Sequence, residues 1–297
     1  MKNIWIIGCG DIGRRVAKRI NTLYQGQVYR ISALVSSEAS AAECRALGIN
    51  TLIHDLDSDA ALPVSEFQNA ELYYFAPPPS SGEQDTRLQT VLTQLGDLPK
   101  RIVLISTTGV YGNCEGGWVD ESSPVKPQTD RAKRRASAES ILQHWAEQYQ
   151  REYIILRVPG IYALERLPLE RLRKNLPVVQ RSEAAYTNRI HADDLAAICI
   201  KAMESSLTAE IFNTTDGHPS TMVDYFNQVA DYAGLPRPPQ ISLQDANEKL
   251  SKGMLSYALE SRRIKNDKLL NLLGIELIYP DISSALKQSS FLSIETI

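Results

Sequence analysis

Residues 1–20 read MKNIWIIGCGDIGRRVAKRI. Ile4, Trp5, Ile6 and Ile7 form a short unbroken apolar run, the pattern of a strand covered on both faces. Gly8, Gly10 and Gly13 follow at G-x-G-x-x-G spacing, after which Ile12, Val16, Ala17 and Ile20 fall on a helical period. Strand, glycine turn and helix in that order are the setting in which this spacing holds a dinucleotide. Each glycine has a separate reason. Gly8 lets the chain turn sharply out of the strand, Gly10 lets backbone approach a pyrophosphate, and Gly13 lets the helix lie close on the strand. The helix N-terminus, with Asp11 and Ile12 in its first turn, offers free N–H groups and partial positive charge to the phosphates. Cys9 either gains acidity from that terminus or fills a variable position in the loop.

The bulk properties narrow the field. The 297 residues suffice for one large domain or two, and 43% hydrophobic with 23% charged residues is ordinary for a soluble globular chain. A formal net charge of −3 gives no electrostatic case for nucleic acid or an anionic membrane. Cys9, Cys44, Cys114 and Cys199 are scattered without a C-x-x-C pair, which fits a reduced protein better than a disulfide framework or a zinc site. No apolar run approaches ~18 residues, and Asp11 interrupts the N-terminal run too early for a signal peptide. The expectation is a cytoplasmic protein with a small-molecule substrate, no nucleic acid, no membrane and no metal.

Further along, 28–35 (VYRISALV) reads as a second strand. NAD-binding units of this kind place an acid near its end to hold the ribose 2′-OH. Here Ser36 and Ser37 stand there. The missing carboxylate removes repulsion against a 2′-phosphate, and Arg14 and Arg15 offer it positive charge, which leans toward NADP over NAD. Strands follow over 50–56, 70–75, 101–105, 153–158 and 210–213, with helices over 39–47 and 83–96, one ending near Tyr149 and one near Met203. The run Ala76-Pro77-Pro78-Pro79 stops the fourth strand. Strand ends 1, 3 and 4 of a doubly wound sheet face the cofactor, so Asp55, Ala76 and Pro77 are lining positions. The pattern predicts an α/β Rossmann-type doubly wound parallel sheet over residues 1–160 plus about 188–216. A small, mostly helical C-terminal lobe would comprise about 161–187 and 217–297, with the substrate cleft between the two.

From the fifth strand onward the chain resembles the extended and atypical short-chain dehydrogenases, the NAD-dependent epimerase/dehydratase superfamily. The resemblance rests on the glycine turn, Asp55, Ser106-Thr107-Thr108-Gly109-Val110-Tyr111-Gly112 and Glu121-x-x-Pro124. It continues through Arg157-Val158-Pro159-Gly160-Ile161-Tyr162, Asn188-Arg189-Ile190-His191-Ala192-Asp193-Asp194-Leu195 and Phe212-Asn213-Thr214-Thr215-Asp216-Gly217. It implies an NAD(P) cofactor, Thr107 as the hydroxyl that polarises the substrate oxygen, Pro159 beside the nicotinamide, and a Tyr-x-x-x-Lys pair on the next helix. It also implies basic groups in the small lobe that hold a nucleotide-sugar diphosphate, here Arg262 or Arg263, and a homodimer built on two helices. In such sites the lysine lowers the phenol's pKa so that it passes a proton, and the nicotinamide carries the hydride.

The next helix departs from that pattern. Aligned at Pro127 and Glu139, the segment PQTDRAKRRASAE puts Arg131 at the tyrosine position and Arg135 at the lysine position. A guanidinium does not deprotonate in proteins, so Arg131 cannot be the general acid or base. Lys133 is about 200° around the helix from Arg131 and faces away. Either Arg131 and Arg135 form a cationic pair on one helical face that clamps an anionic substrate or cofactor phosphates, or RAKRR is a solvated basic face. Tyr111, also a candidate substrate contact, and Tyr162 are the nearby phenols. His191, Asp193 and Asp194 read as a helix start, with Asp193 or Asp194 as the cap. Ser261-Arg262-Arg263-Ile264 reads as the opening of a helix. The expected function is an epimerase/dehydratase-like oxidoreductase on a small polar, nucleotide-linked substrate, with a non-standard proton-transfer group. The alternative is a catalytically silent NADP(H)-binding sensor.

Overall fold

The computed structural model describes residues 1–287, so positions 288–297 of the expected small lobe lie outside the described residues. Seven strands form the central sheet: β1 Lys2–Ile7, β2 Tyr29–Val35, β3 Asn50–Ile53, β4 Glu71–Tyr74, β5 Arg101–Thr107, β6 Glu152–Val158 and β7 Glu210–Asn213. Their order is β7-β6-β5-β4-β1-β2-β3 and every pairing is parallel. The chain turns back on itself between β1 and β4, which opens a crevice at their carboxyl ends. Period-2 alternation distributes the sheet's side chains. Ile4 and Ile6 of β1 join one apolar core, while Trp5 and Ile7 join the other.

Helices among the described residues include α1 Asp11–Leu23, α2 Glu38–Arg45, α3 Thr86–Leu95, α4 Asp130–Tyr149, α5 Leu169–Arg173, α6 Ala192–Glu204, α7 Met222–Tyr232, α8 Leu243–Lys249, α9 Lys252–Leu259 and α10 Asp267–Leu273. The apolar stripes of α1, α2 and α6 cover one face of the sheet; those of α3 and α4 cover the other. Leu142 and Trp145 of α4 are core residues there. A third apolar cluster, with Tyr162, Leu172, Val178, Val223, Phe226 and Val229, gathers α5, α7 and the segments around them over the sheet's carboxyl edge. Gly160–Tyr162 runs alongside Arg189–His191 and joins this cluster to the sheet.

Two local expectations are corrected. Residues 261–264 do not open a helix: Arg263–Ile264 pairs in parallel with Trp118–Val119, and the Ile264 amide donates to Asn188 Oδ1 at 3.0 Å. That pairing draws the backbone out, and the helix begins only at Asp267. Neither Asp193 nor Asp194 caps α6. His191 does, its ring accepting from the Asp193 amide, while Asp194 accepts from the amides of Ile278 and Tyr279, each at 2.9 Å. No helix among the described residues is long and apolar enough to cross a membrane.

Candidate functional site

At the end of β1 the three glycines have different surroundings. Gly8 has φ +83°, and a Cβ there would lie 2.4 Å from the Ala76 amide nitrogen, because the chain leaving β4 passes directly over it. A Cβ on Gly13 would lie 3.1 Å from both Cys9 Sγ and Ile6 Cγ2, so α1 packs closely on β1. At Gly10 a Cβ would meet nothing within 4 Å. Gly10 is also the residue before α1, whose first turn has no side-chain cap. Open space in front of uncapped amides is a cradle for an anion. Burial pushes the Cys9 thiol up, so this cysteine fills space and is not an activated thiol.

The flanking residues are more committed than the sequence suggests. Arg15 bonds Asp11 at 2.9 Å and Asp193 at 2.6 Å and also pairs with Glu165, so its charge is already matched. Arg14 pairs with Glu43 at 2.7 Å. Ser36 is exposed just after β2, and Ser37 caps α2. Asp55 closes its own turn by accepting from the Asp57 amide at 3.0 Å. Ala76 is buried, and the Pro77 carbonyl accepts from Arg87 at 3.0 Å.

Along α4 most of the basic run is engaged by the loop after β4. Arg135 donates to the Ala76 carbonyl at 3.4 Å, Arg134 to the Gly82 carbonyl at 2.6 Å, and Lys133 pairs with Glu83. Three of these cations thus fasten the proline loop after β4. Burial holds the Arg135 guanidinium below its usual range, the nearby Asp85 opposes this, and the Arg131 charge adds to it. Arg131 behaves differently. Thr129 caps α4, and Ala132 seats the first turn on Gly109, leaving Arg131 exposed at a cavity wall. It forms no hydrogen bond or ion pair among the described residues.

That cavity, of about 210 Å³, lies where the ends of β5 and β6 meet the third apolar cluster, and is lined by Thr107, Arg131, Pro159, Tyr162, Tyr186, Arg189, Tyr257 and Arg262, among others. Sheet register puts Thr107 opposite Val158, which sets Thr107 beside Pro159. The Thr107 hydroxyl accepts from the Gly109 amide at 3.2 Å. Arg262 is tied to the Gly112 carbonyl and Glu260, both at 2.7 Å. Arg263 donates to the Gly116 carbonyl and lies over the rings of Trp118 and Tyr186, which makes it structural.

Tyr111 is a correction. It is absent from the cavity wall and 2% exposed; its hydroxyl donates to Asn213 Oδ1 at 2.8 Å and accepts from Arg157 at 2.9 Å. Arg157 in turn pairs with Glu139 at 2.7 Å, and Ser106 donates to the same carboxylate. This buried network holds α4 to β5 and β6, and leaves Tyr111 no free group for substrate or proton. Tyr162 does line the cavity, is 2% exposed and has a hydroxyl with no partner. Among the described residues, no three His, Cys, Asp or Glu side chains are grouped to hold a metal.

Sequence reasoning missed Tyr186, Arg189 and Tyr257 as cavity residues. Arg189 lay inside a quoted motif, but only the pairing of Arg189–His191 with Gly160–Tyr162 reveals which wall it joins. Tyr257 had no local signal at all.

Comparison with known proteins places these features among relatives. A model of the NAD dependent epimerase/dehydratase family matches residues 4–214. Human dTDP-D-glucose 4,6-dehydratase is 25% identical over 122 residues, 38% of this chain; the matched segment spans only 35% of that enzyme's length. A functionally unknown conserved protein from Silicibacter pomeroyi superposes with TM-score 0.83 at 24% identity, covering 98% of this chain and 99% of its own. UDP-glucuronic acid 4-epimerase from Bacillus cereus, solved in complex with NAD, superposes with TM-score 0.75 at 16% identity over 97% and 96% of the two chains.

Proposed function

The chain belongs to the NAD-dependent epimerase/dehydratase family, and from that premise we propose an NAD(P)-dependent epimerase/dehydratase-like oxidoreductase acting on a small polar substrate. One observation carries this reading: Arg131, a cation with no partner, lines the same cavity as Thr107. Gly8, Gly10, Asp11, Ile12, Gly13, Arg14, Ser36, Asp55, Ala76, Pro77, Thr107 and Pro159 would hold the cofactor, and the space in front of Gly10 fits a pyrophosphate. When bound, the nicotinamide supplies the hydride acceptor or donor. The lack of an acid at Ser36 favours NADP, although Arg14 is paired with Glu43.

In the cavity, Thr107 would orient the reacting oxygen and Arg131 would stabilise negative charge developing on it. Since the guanidinium keeps its proton, the proton must be moved by another group, and Tyr186 and Tyr257 on the same wall are the candidates. Nucleotide-linked sugars are the class named for the dehydratase and epimerase relatives, and they open the list of substrates to try. The small lobe, about 161–187 and 217–297, would select among them.

A second reading, a catalytically silent NADP(H)-binding protein, is favoured by one fact: Arg135, at the lysine position, is bonded to the Ala76 carbonyl. Fluorescence titration with NADPH and NADH, followed by a turnover screen, separates the two. Saturable binding with turnover supports the enzyme. Tight binding with no turnover of any nucleotide sugar or small hydroxy compound supports the silent binder, and no binding sinks both.

A further inference from the structure

We propose that Arg189 forms a carboxylate-binding subsite in the cavity, so that the substrate is a small organic acid. The inference rests on the proposed function only in taking this cavity as the substrate's. Arg189 is 7% exposed, yet among the described residues no carboxylate lies within ion-pair distance of it. Its Nη1 donates to Ser220 Oγ at 2.9 Å, its Nη2 approaches Met222 Sδ at 3.8 Å, and the guanidinium lies 4.0 Å over the Tyr225 ring. A guanidinium has five N–H donors, and the others find no partner among the described residues.

Two nearby acids, Asp216 and Asp224, favour its charge from a distance, but neither forms an ion pair with it. Burial holds the Asp216 carboxyl up to about 7, so near neutrality it is only partly ionised. Asp224 pairs with Arg181. A buried cation without a paired counter-charge is costly, and a bound anion reduces that cost. Tyr162 also lines the cavity, but its hydroxyl is closed off from that space, so it offers a ligand there no donor.

A planar fork of N–H groups suits the two oxygens of a carboxylate. The cavity's size points the same way. At about 210 Å³ it is smaller than the roughly 300–1,000 Å³ of pockets that enclose drug-sized ligands. A hydroxy or keto acid of a few carbons matches it better than a nucleotide sugar does. Arg131 is then left for the reacting oxygen.

The test is calorimetric titration of the full chain, without nucleotide, against acetate, lactate, pyruvate and malonate. Lactamide serves as the neutral isostere, and inorganic phosphate as the competing anion. At least one carboxylate should bind saturably and at least tenfold more tightly than lactamide or phosphate. Arg189→Lys, which keeps the charge and loses the fork, should weaken it by at least tenfold, with nucleotide affinity unchanged. The proposal is overturned if no carboxylate binds, if lactamide or phosphate binds as well, or if the variant binds as the wild type does. Carboxylate binding without NADPH or NADH binding would leave the subsite standing and remove the oxidoreductase reading instead.

Discussion

The glycine crevice and the cavity beside it solve opposite problems. The crevice is shaped by backbone: a turn at positive φ, a helix start without a cap, and empty space where Gly10 has no side chain. The cavity is marked by charge, with Arg131 and Arg189 each lacking an ion-pair partner among the described residues. The crevice needs the absence of atoms and tolerates no substitution by bulk. The cavity needs particular side chains and leaves them unsatisfied until something arrives. The difference teaches that two halves of one site are sensitive to different perturbations, and four measurements exploit this.

The largest effect should come from Gly8→Ala. The new Cβ would meet the Ala76 backbone at 2.4 Å at a positive φ, a combination costing on the order of 3 kcal/mol or more. Thermal unfolding should show a midpoint lower by roughly 10 °C; an unchanged midpoint would mean that β4 can yield there.

On the cavity side, Asp216→Asn probes a buried acid. With its carboxyl held up to about 7, the folded chain keeps a proton that the unfolded chain releases near pH 4, so this group's contribution to stability falls as pH rises from about 4 to about 7. His191 works the other way. Burial holds its imidazole down to about 4, so its contribution rises as pH increases from about 4 to about 6.5. Asparagine keeps an acceptor for the His218 amide, now bonded at 2.9 Å, and removes only the first slope. The variant's stability relative to wild type should therefore grow across that window by on the order of 1 kcal/mol per pH unit. A difference that is flat with pH would contradict the buried, protonated carboxyl.

Gly10→Ala should leave the unfolding midpoint nearly unchanged, since a Cβ there meets no protein atom. NADPH affinity should drop at least about tenfold, near 1.4 kcal/mol. Equal loss of stability and affinity would erase the distinction from Gly8. Smallest of all is Arg131→Gln. A side chain with no partner should change stability by less than about 0.5 kcal/mol, while any turnover found for the wild type should fall sharply. A large loss of stability would show that Arg131 braces the fold instead.

Much of this architecture was legible because period and punctuation are local. Ile4 to Ile7, the three glycines and the final strand at Glu210–Asn213 fall where the pattern put them. The proline run follows the end of β4, while Arg131 lines the cavity and Arg135, one turn on, is turned to the Ala76 carbonyl instead. What escaped reading depends on partners distant in sequence. Arg262 and Arg263 looked like a helix start, but strand pairing with Trp118–Val119 overrides that propensity. Tyr111 looked like a candidate for chemistry until Arg157 and Asn213 closed around its hydroxyl. Arg134 and Lys133 seemed part of a charge run, and only the folded loop shows which acceptors they hold.

One feature outside both halves bears on how anything enters. Asp11, at the lip of the crevice, is held by Arg15 and by Arg166, and Arg15 also grips Glu165 and Asp193. The 164–166 turn is thereby moored to the first turn of α1 through half-exposed charges alone. Dissolved electrolyte screens such charges within about 10 Å at 0.1 M, so the ionic strength of the surroundings becomes a dial on how tightly that mooring is drawn.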